Sequence, residues 1–298
     1  HPCSAAQAER LRAVLDDLGD SVALAPTHTG GHSVHVHTDD AGAAVEAGLA
    51  VGSATHIQIS VLSGGGGGPA PGSWSRERAV LAVVDGDGAA RLFAGEGACV
   101  LEAREPEAGP VVSAQRLLRA LVDTGAASVM LLPNGFVAAE ELVAGCTAAI
   151  GWGIDVVPLP TRSMVQGLAA LAVHDPGRPA VDDGYTMAAA AGSTRFGSVR
   201  MATEDALTWA GPCSAGDGLG IFGGEVLVVR HDVTAAARGL IDLMLGVGGE
   251  LVTVLLGAGV DAGVAEALTE HVHRHHLGTE LVTYDTGHAG DALLIGVE

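Results

Sequence analysis

The run Ala-Val-Leu-Ala-Val-Val at residues 79–84 decides the fold, because it is apolar at every position. A strand with one face in water alternates polar and apolar side chains, whereas a strand covered on both faces is continuously apolar. From this run to residue 157, helical and strand-like patterns alternate, which implies crossover connections and a parallel sheet. The predicted elements after the first strand are strands near 98–101, 128–132 and 154–157 and helices near 87–94, 113–123 and 135–144.

Beyond residue 160 the order of the elements changes, and two helices follow one another before the next strand. Gly223-Gly224 separates two strand-like runs and predicts a two-residue hairpin turn, because glycine readily adopts positive φ. We therefore predict a second lobe of mixed α/β type. Its elements are helices near 163–173, 182–191, 232–246 and 261–276, strands near 197–203, 218–222, 225–230 and 251–256, and two terminal strands.

Upstream of the apolar run, residues 63–75 (SGGGGGPAPGSWS) contain five consecutive glycines and two prolines. This composition is typical of a flexible linker. Residues 1–62 predict a small α+β domain, with helices at 5–18 and 43–52 and strands at 21–24, 33–37 and 56–61. The predicted class is α/β overall. A linker at 63–75 joins the α+β domain to a two-lobed α/β domain at 76–298, with lobes near 76–162 and 163–298.

Composition excludes several classes of partner. The chain carries a net charge of −20, and its 15 basic residues are all arginine. Such an acidic protein is a poor match for nucleic acid or for an anionic membrane, since both demand a basic surface. Its four cysteines lie far apart and form no CxxC pair, and no uncharged stretch approaches the length of a membrane span. We therefore expect reduced thiols, a cytoplasmic location and no integral membrane segment.

Four stretches together resemble the A subunit of bacterial fatty-acid kinase, the YloV-like group of dihydroxyacetone-kinase-related proteins. In that family an N-terminal domain binds ATP and magnesium, a small middle domain follows, and the C-terminal domain is DegV-like. The matching stretches are VHVHTDDAGAAVEAGLAVGSATHIQI (34–59), LLPNGFVAAEEL (131–142), VVPLPTRSMVQGLAAL (156–171) and GDGLGIFGGEVLVV (216–229).

The resemblance implies that these residues are the middle domain and the DegV-like C-terminal domain, with ATP and magnesium bound on an N-terminal domain that they do not include. The chain is then a non-catalytic scaffold that docks a DegV-like fatty-acid carrier for acyl-phosphate formation, inactive alone and without catalytic residues of its own. Its expected partner is that carrier, and a homodimer is a second possibility. The alternative is a fatty-acid binding module of DegV type.

His35 and His37 are the leading metal candidates, because histidines two positions apart in a strand lie on the same face. Zinc in proteins usually takes four nitrogen or sulfur ligands. The resemblance implies a cysteine from the preceding strand as a further ligand, and Cys3 is the available one. The alternative ligands are Asp39, Asp40, His28 and His32. A structural interpretation, with one histidine at a strand edge and the other in solvent, stays open.

A candidate anion site follows the strand that ends near residue 157. Thr161, Arg162 and Ser163 open a helix that also contains Gln166, and helix N-termini attract anions. Arg162 adds a charged fork suited to a carboxylate or phosphate. Alternatively, Ser163 is a helix N-cap and Arg162 forms an internal ion pair. Asn134, at the end of the 128–132 strand, is either a ligand contact or a turn residue.

Two further motifs carry less functional weight. The segment 86–88 (GDG) lacks the spacing of a dinucleotide loop, and its aspartate would repel a pyrophosphate. Near residue 275 lies a dense histidine group, in which His271 and His275 share a helix face. We predict that this group is solvated surface, with adventitious metal binding as its alternative. The group consists of His271, His273, His275 and His276.

Overall fold

The computed structural model describes residues 5–26, 32–53, 57, 74–104, 112–261 and 263–298. The chain forms two compact units, residues 1–68 and residues 69–298. Within the described ranges, no helix is both long enough and apolar enough to cross a bilayer.

The first unit contains α1 (Ala5–Leu18), β1 (Gly19–Pro26), β2 (His32–Thr38) and α2 (Ala41–Val51). The two strands pair antiparallel. Leu11 and Leu15, one turn apart on α1, are buried. The predicted helices and the first two predicted strands are present, whereas the predicted strand at 56–61 lies, apart from residue 57, outside the described residues.

The second unit begins with the predicted parallel sheet. Its four strands lie in the order β4-β3-β5-β6, and every neighbouring pair is parallel. This confirms the interpretation of the apolar run at 79–84. The elements are β3 (Arg76–Val84), α3 (Asp87–Gly95), β4 (Cys99–Glu102), α4 (Ala114–Asp123), β5 (Ala126–Leu132), α5 (Ala139–Gly151) and β6 (Asp155–Pro158).

A six-stranded mixed sheet follows, in the order β11-β10-β7-β14-β12-β13. Only the β12–β13 pair is parallel within this sheet. Gly223 and Gly224 have positive φ, as the predicted hairpin requires. The elements are α6 (Met164–Ala172), α7 (Ala180–Ser193), β7 (Arg195–Met201), β8 (Ala206–Thr208), β9 (Gly211–Cys213), β10 (Gly218–Phe222), β11 (Glu225–Arg230), α8 (Val233–Leu245), β12 (Leu251–Gly257), α9 (Gly263–His275), β13 (Glu280–His288) and β14 (Leu293–Val297).

Alternation along the strands builds the layers of this unit. In β3, Ala79, Leu81 and Val83 pack against α4 and α5. The intervening Val80 and Ala82 point to the opposite side and pack against α6 and α7. Each face of the parallel sheet is therefore covered by helices, which is why β3 carries no polar side chain between residues 79 and 84.

The mixed sheet continues the stack. Leu293, Ile295 and Val297 of β14 share a core with α8 and α9, whereas Leu294 points the other way. Leu294 packs against the core that contains the buried side chains of α6. The helix α6 itself contacts β3 of the parallel sheet and three strands of the mixed sheet. Seven of the nine α6 residues are buried. Because α6 lies between two sheets, its sequence is apolar around its circumference except for Gln166, whose amide is hydrogen-bonded.

Candidate functional site

The structure brings together the residues of the predicted anion site. Asn134 follows β5, while Thr161, Arg162 and Ser163 link β6 to α6. The Asn134 backbone N–H donates to Thr161 Oγ1 at 3.0 Å, and the Arg162 backbone N–H donates to Gln166 Oε1 at 2.9 Å. The two loops therefore form one polar cluster at the carboxyl ends of β5 and β6.

Most polar groups in this cluster are already bonded to protein. The Asn134 side-chain amide donates to Val83 O at 2.9 Å, and Gln166 Nε2 donates to Ala191 O at 2.9 Å. Ser163 holds the N-cap position of α6, but its side chain makes no cap hydrogen bond. Among the described groups, Ser163 Oγ and Asn134 Oδ1 are buried without a hydrogen-bond partner. The cluster thus ties β3, β5, α6 and α7 together, and anion binding by it stays a prediction.

Arg162 differs from its neighbours because its side chain is exposed. Its guanidinium carbon lies 5.9 Å from the ring centroid of Phe196, within the range of a cation–π contact. This contact leaves the charged fork accessible to an anion from solvent.

Asn134 occupies a turn, which was one of the two roles predicted for it. Its φ of 52° is positive, and Gly135 follows with a φ of 83°. The Phe136 N–H donates to Pro133 O at 2.9 Å and closes the turn. Asparagine is the residue after glycine that best tolerates this backbone region.

Gly167→Ala is expected to destabilise the protein by about 1–3 kcal/mol, since overpacking a tight core forces its neighbours to move. A Cβ at Gly167 would lie 2.1 Å from Asn134 Oδ1, and the hydrogen bond from the Asn134 amide to Val83 O holds that side chain in place. Gly192→Ala in α7 is the matched control, because its Cβ would meet no atom within 4 Å. Urea unfolding of both variants should give effects of opposite sign, and equal effects would contradict the packing argument.

A polar cleft that the sequence analysis did not predict lies at the carboxyl end of β3. Asp85 is buried there, and its two oxygens accept from Arg104 Nε at 2.7 Å and from the Ala289 N–H at 2.8 Å. The volume of the cleft is about 370 Å³. Its lining residues are Asp85, Gly86, Asp87, Gly88, Arg91, Glu102, Arg104, Asp285, Thr286, Gly287 and Ala289.

A signal for this cleft was present in the sequence. Asp85 directly follows a buried strand, and ligands of open α/β sheets favour the carboxyl ends of strands. Nothing in the sequence indicated that residues 285–289 would line the same cleft, because they are separated from Asp85 by about two hundred residues.

His288 lies behind this cleft in a buried position. Thr286 Oγ1 donates to Leu256 O at 2.9 Å, so the His288 Nδ1–H donates to Thr286 Oγ1 at 2.8 Å. Burial lowers the pKa of His288, although the nearby charges of Asp291 and Asp85 act in the opposite direction. His288 is therefore held neutral more firmly in the folded state than in the unfolded chain.

The stability of the protein is expected to fall as the pH drops below about 6.5, the ordinary histidine value. Below that pH the unfolded chain binds a proton at His288 more readily than the folded protein does. The free energy of unfolding is therefore highest above the pKa of His288 in the unfolded chain, and it decreases as the pH falls towards the lower pKa of the folded state. His288→Asn should flatten this dependence, while His273→Asn, at an exposed position of α9, should not. Urea unfolding between pH 7.5 and pH 5 measures the slopes, and an unchanged slope in His288→Asn would refute the assignment.

The predicted metal pair lies on β2 of the first unit, where His35 pairs with Ala23 and His37 with Asp20. Cys3 and His28 lie outside the described residues. Asp40 is a poor substitute ligand, because its Oδ1 caps α2 by accepting from the Ala43 N–H at 2.9 Å. Zinc binding by His35, His37 and Cys3 stays a prediction.

The histidine group near residue 275 is not the fully solvated surface that we predicted. His271 and His276 are both partly buried and both contact Asp242 of α8. His273 and His275 are exposed, and the rings of His271 and His275 lie 4.8 Å apart. The sequence placed these histidines on one helix but gave no sign of the carboxylate on the neighbouring helix.

Comparison with known proteins gives two family matches that together cover most of the chain. The FakA-like C-terminal domain family, named for fatty acid kinase, matches residues 79–298, and the FakA-like middle-domain family matches residues 3–65. An uncharacterized protein of Staphylococcus haemolyticus is 25% identical over 222 residues, which cover 74% of this chain and 39% of that protein. Protein YloV of Bacillus subtilis is 27% identical over 189 residues, which cover 63% of this chain and 33% of YloV.

Solved structures share the fold at low sequence identity. A DegV family protein of Corynebacterium glutamicum aligns with a TM-score of 0.52 and 14% identity over 74% of this chain and 96% of its own. The fatty acid kinase B3 protein of Streptococcus pneumoniae, solved loaded with linoleic acid, aligns with a TM-score of 0.52 and 9% identity over 74% of this chain and 99% of its own. These likenesses confirm the predicted two-lobed α/β fold of DegV type.

Proposed function

Because the chain belongs to the FakA-like family of fatty acid kinase proteins, we propose that it is the scaffold and partner-docking part of a fatty acid kinase. In this proposal it presents a DegV-type fatty-acid carrier to a domain that binds ATP and magnesium and lies outside these residues. The carrier supplies the fatty acid whose carboxylate is phosphorylated. The chain matches only 33–39% of the length of the curated relatives described above, which leaves room for such a domain in the whole protein.

The observation that carries this proposal is the filled interior of the DegV-type unit. Met130 of β5, Met164 and Val165 of α6 and Leu255 of β12 are all buried in one core between the two sheets. An acyl chain needs an apolar cavity, and opening one here would separate side chains that pack against both sheets. The unit keeps the shape of a carrier while its own side chains fill the space between the sheets. This favours docking over lipid binding.

The charges that line the polar cleft support the proposal that the nucleotide binds to a domain outside these residues. Its lining carries four acidic side chains and two basic ones, and this excess of negative charge opposes a triphosphate. The acidic residues are Asp85, Asp87, Glu102 and Asp285, and the basic residues are Arg91 and Arg104.

The hairpin formed by β8 and β9 offers an exposed apolar surface for the carrier. Leu207 is 86% exposed and Trp209 is 80% exposed, and the hairpin contacts the edge strand β11. Tryptophan is among the residues enriched at binding hot spots, so this hairpin is our candidate docking surface.

The proposal is tested by titrating the purified chain with a fatty-acid-loaded DegV-type carrier, such as the kinase B3 protein, in a calorimeter. We expect binding without ATP turnover by the chain alone. Leu207→Ser with Trp209→Ser should weaken binding at least tenfold. Val181→Ser with Tyr185→Ser, at positions of α7 that are 82% and 78% exposed, is the matched control. ATP hydrolysis without an added domain would overturn the proposal, and a fatty acid retained in native mass spectrometry without carrier binding would favour the lipid-binding alternative.

A further inference from the structure

Three side chains with metal-ligand chemistry converge on the outer helices of the mixed sheet. Asp242 lies in the last turn of α8, His271 lies one turn before the end of α9, and His276 directly follows α9. Asp242 Oδ1 lies 2.7 Å from His271 Nε2 and 2.6 Å from His276 Nε2. One ligand atom from each residue lies within 4.8 Å of the others, and no second group of this kind occurs in the described ranges.

The hydrogen bonds define the protonation of the group. Burial raises the pKa of Asp242, but the hydrogen bonds and charges of His276 and His271 outweigh burial and hold the pKa below its usual value. An ionised carboxylate only accepts hydrogen bonds, so each imidazole carries its proton on Nε2. Both imidazoles therefore direct their Nε2 atoms towards the same carboxylate oxygen.

We propose that Asp242, His271 and His276 bind a divalent transition-metal ion of the Zn²⁺ and Ni²⁺ class. Two imidazole nitrogens and one carboxylate oxygen are the ligand types that these ions prefer, whereas Mg²⁺ and Ca²⁺ require mainly oxygen ligands. In a neutral imidazole the proton moves from Nε2 to Nδ1, and the freed Nε2 lone pair binds the ion. In an imidazolium the Nε2 proton passes to water.

The surrounding structure positions the ligands in advance. Leu240 and Ile241 beside Asp242, and Leu268 and Val272 beside His271, are fully buried in the core of the mixed sheet. Ligand atoms around a tetrahedral zinc ion lie about 3.3 Å apart at bond lengths of about 2.0–2.1 Å, so the two nitrogen–oxygen distances must lengthen by about 0.6–0.7 Å. Such a movement is within the reach of side-chain torsions and leaves the helices in place.

The site has room for a ligand from outside the triad. The Asp242 side chain is 47% exposed, compared with 15% for His271 and 22% for His276. Three protein ligands leave a fourth tetrahedral position for water or for another donor. A bound ion would join the ends of α8 and α9 and stabilise the folded state by mass action.

The test uses the full chain, stripped of metal and titrated calorimetrically with Zn²⁺ and, separately, with Mg²⁺. The double variant His271→Ala/His276→Ala and the single variant Asp242→Asn should each lose one zinc equivalent. His273→Ala, at an exposed position of the same helix, should bind as the parent does. Because the comparison is a difference between variants, zinc bound in the first unit cancels. The parent should also gain about 5–10 °C in Tm at a zinc concentration of 100 times Kd, and Mg²⁺ should give no such gain.

Two further measurements separate this site from weaker explanations. If His275→Ala removes the zinc equivalent and Asp242→Asn does not, binding belongs to an adventitious histidine pair on α9, and the proposal is wrong. Circular dichroism without metal shows whether each variant folds. A purely structural role for the hydrogen bonds would lower the metal-free Tm and leave the zinc stoichiometry unchanged, which would equally overturn the proposal.

Discussion

Replacing Asp183 with alanine is expected to lower the free energy of unfolding by about 3–5 kcal/mol, because it leaves a buried charge unpaired. Asp183 lies in the first turn of α7 and is fully buried. Its Oδ2 lies 3.1 Å from Arg78 Nη1 and 2.8 Å from His174 Nδ1, and its Oδ1 accepts from the Asp175 N–H at 2.9 Å. One carboxylate therefore joins β3, α7 and the segment between α6 and α7. Because the Arg78 side chain is only 10% exposed, water can hardly replace the carboxylate as its partner.

The control for this change is the neighbouring residue. Asp182→Ala removes an exposed carboxylate from the same helical turn and should cost no more than about 1 kcal/mol, the value of a helix-dipole interaction. Guanidinium unfolding of both variants supplies the comparison. In a double-mutant cycle, Arg78→Ala together with Asp183→Ala should cost less than the sum of the two single changes, because the second removal eliminates the unpaired charge. Additive costs would show that the ion pair is not the source of the effect.

The sequence was sufficient for the order of helices and strands because each long element carries its own pattern. The apolar run of β3 predicted both its strand character and its parallel neighbours, and Gly223-Gly224 predicted the β10–β11 turn. The hairpin of β8 and β9 was missed, since its strands contain three residues each and show no measurable periodicity. The turn at Asn134 was only one of two possibilities until the closing hydrogen bond was known.

The sites were less predictable than the fold for a physical reason. A strand or helix is set by neighbours in sequence, whereas each site combines side chains from distant segments. Asp85 meets the Ala289 N–H, and Asp242 meets His271 and His276. Arg162 and Gln166 were predicted together because they lie four residues apart at the start of a helix. The hydrogen bonds that commit Gln166 to Ala191 O and Thr194 O were not predicted. Local patterns thus identify candidate residues, and long-range pairing decides whether their polar groups are free.

Gly88→Ala is expected to destabilise the protein by about 3 kcal/mol, the upper end of overpacking costs. A Cβ at Gly88 would lie 2.1 Å from Asp285 O and 2.8 Å from Thr286 Cα, both main-chain atoms of β13. Backbone cannot rotate away as a side chain can, so α3 would have to separate from β13. Thermal unfolding followed by circular dichroism measures the loss.

Gly95→Ala, at the last residue of the same helix, is the matched control. Its Cβ would meet no atom within 4 Å, so removing the backbone freedom of glycine should stabilise the protein by about 0.5–1 kcal/mol. If the two alanine substitutions change the free energy of unfolding in opposite directions, the constraint lies at the α3–β13 contact.

Since Asp285 and Thr286 also line the polar cleft, Gly88→Ala should expose Asp85 and weaken its hydrogen bond to the Ala289 N–H. Faster amide hydrogen exchange at Ala289 in Gly88→Ala, and not in Gly95→Ala, is the expected sign, and unchanged exchange in both would show that the cleft does not depend on this contact.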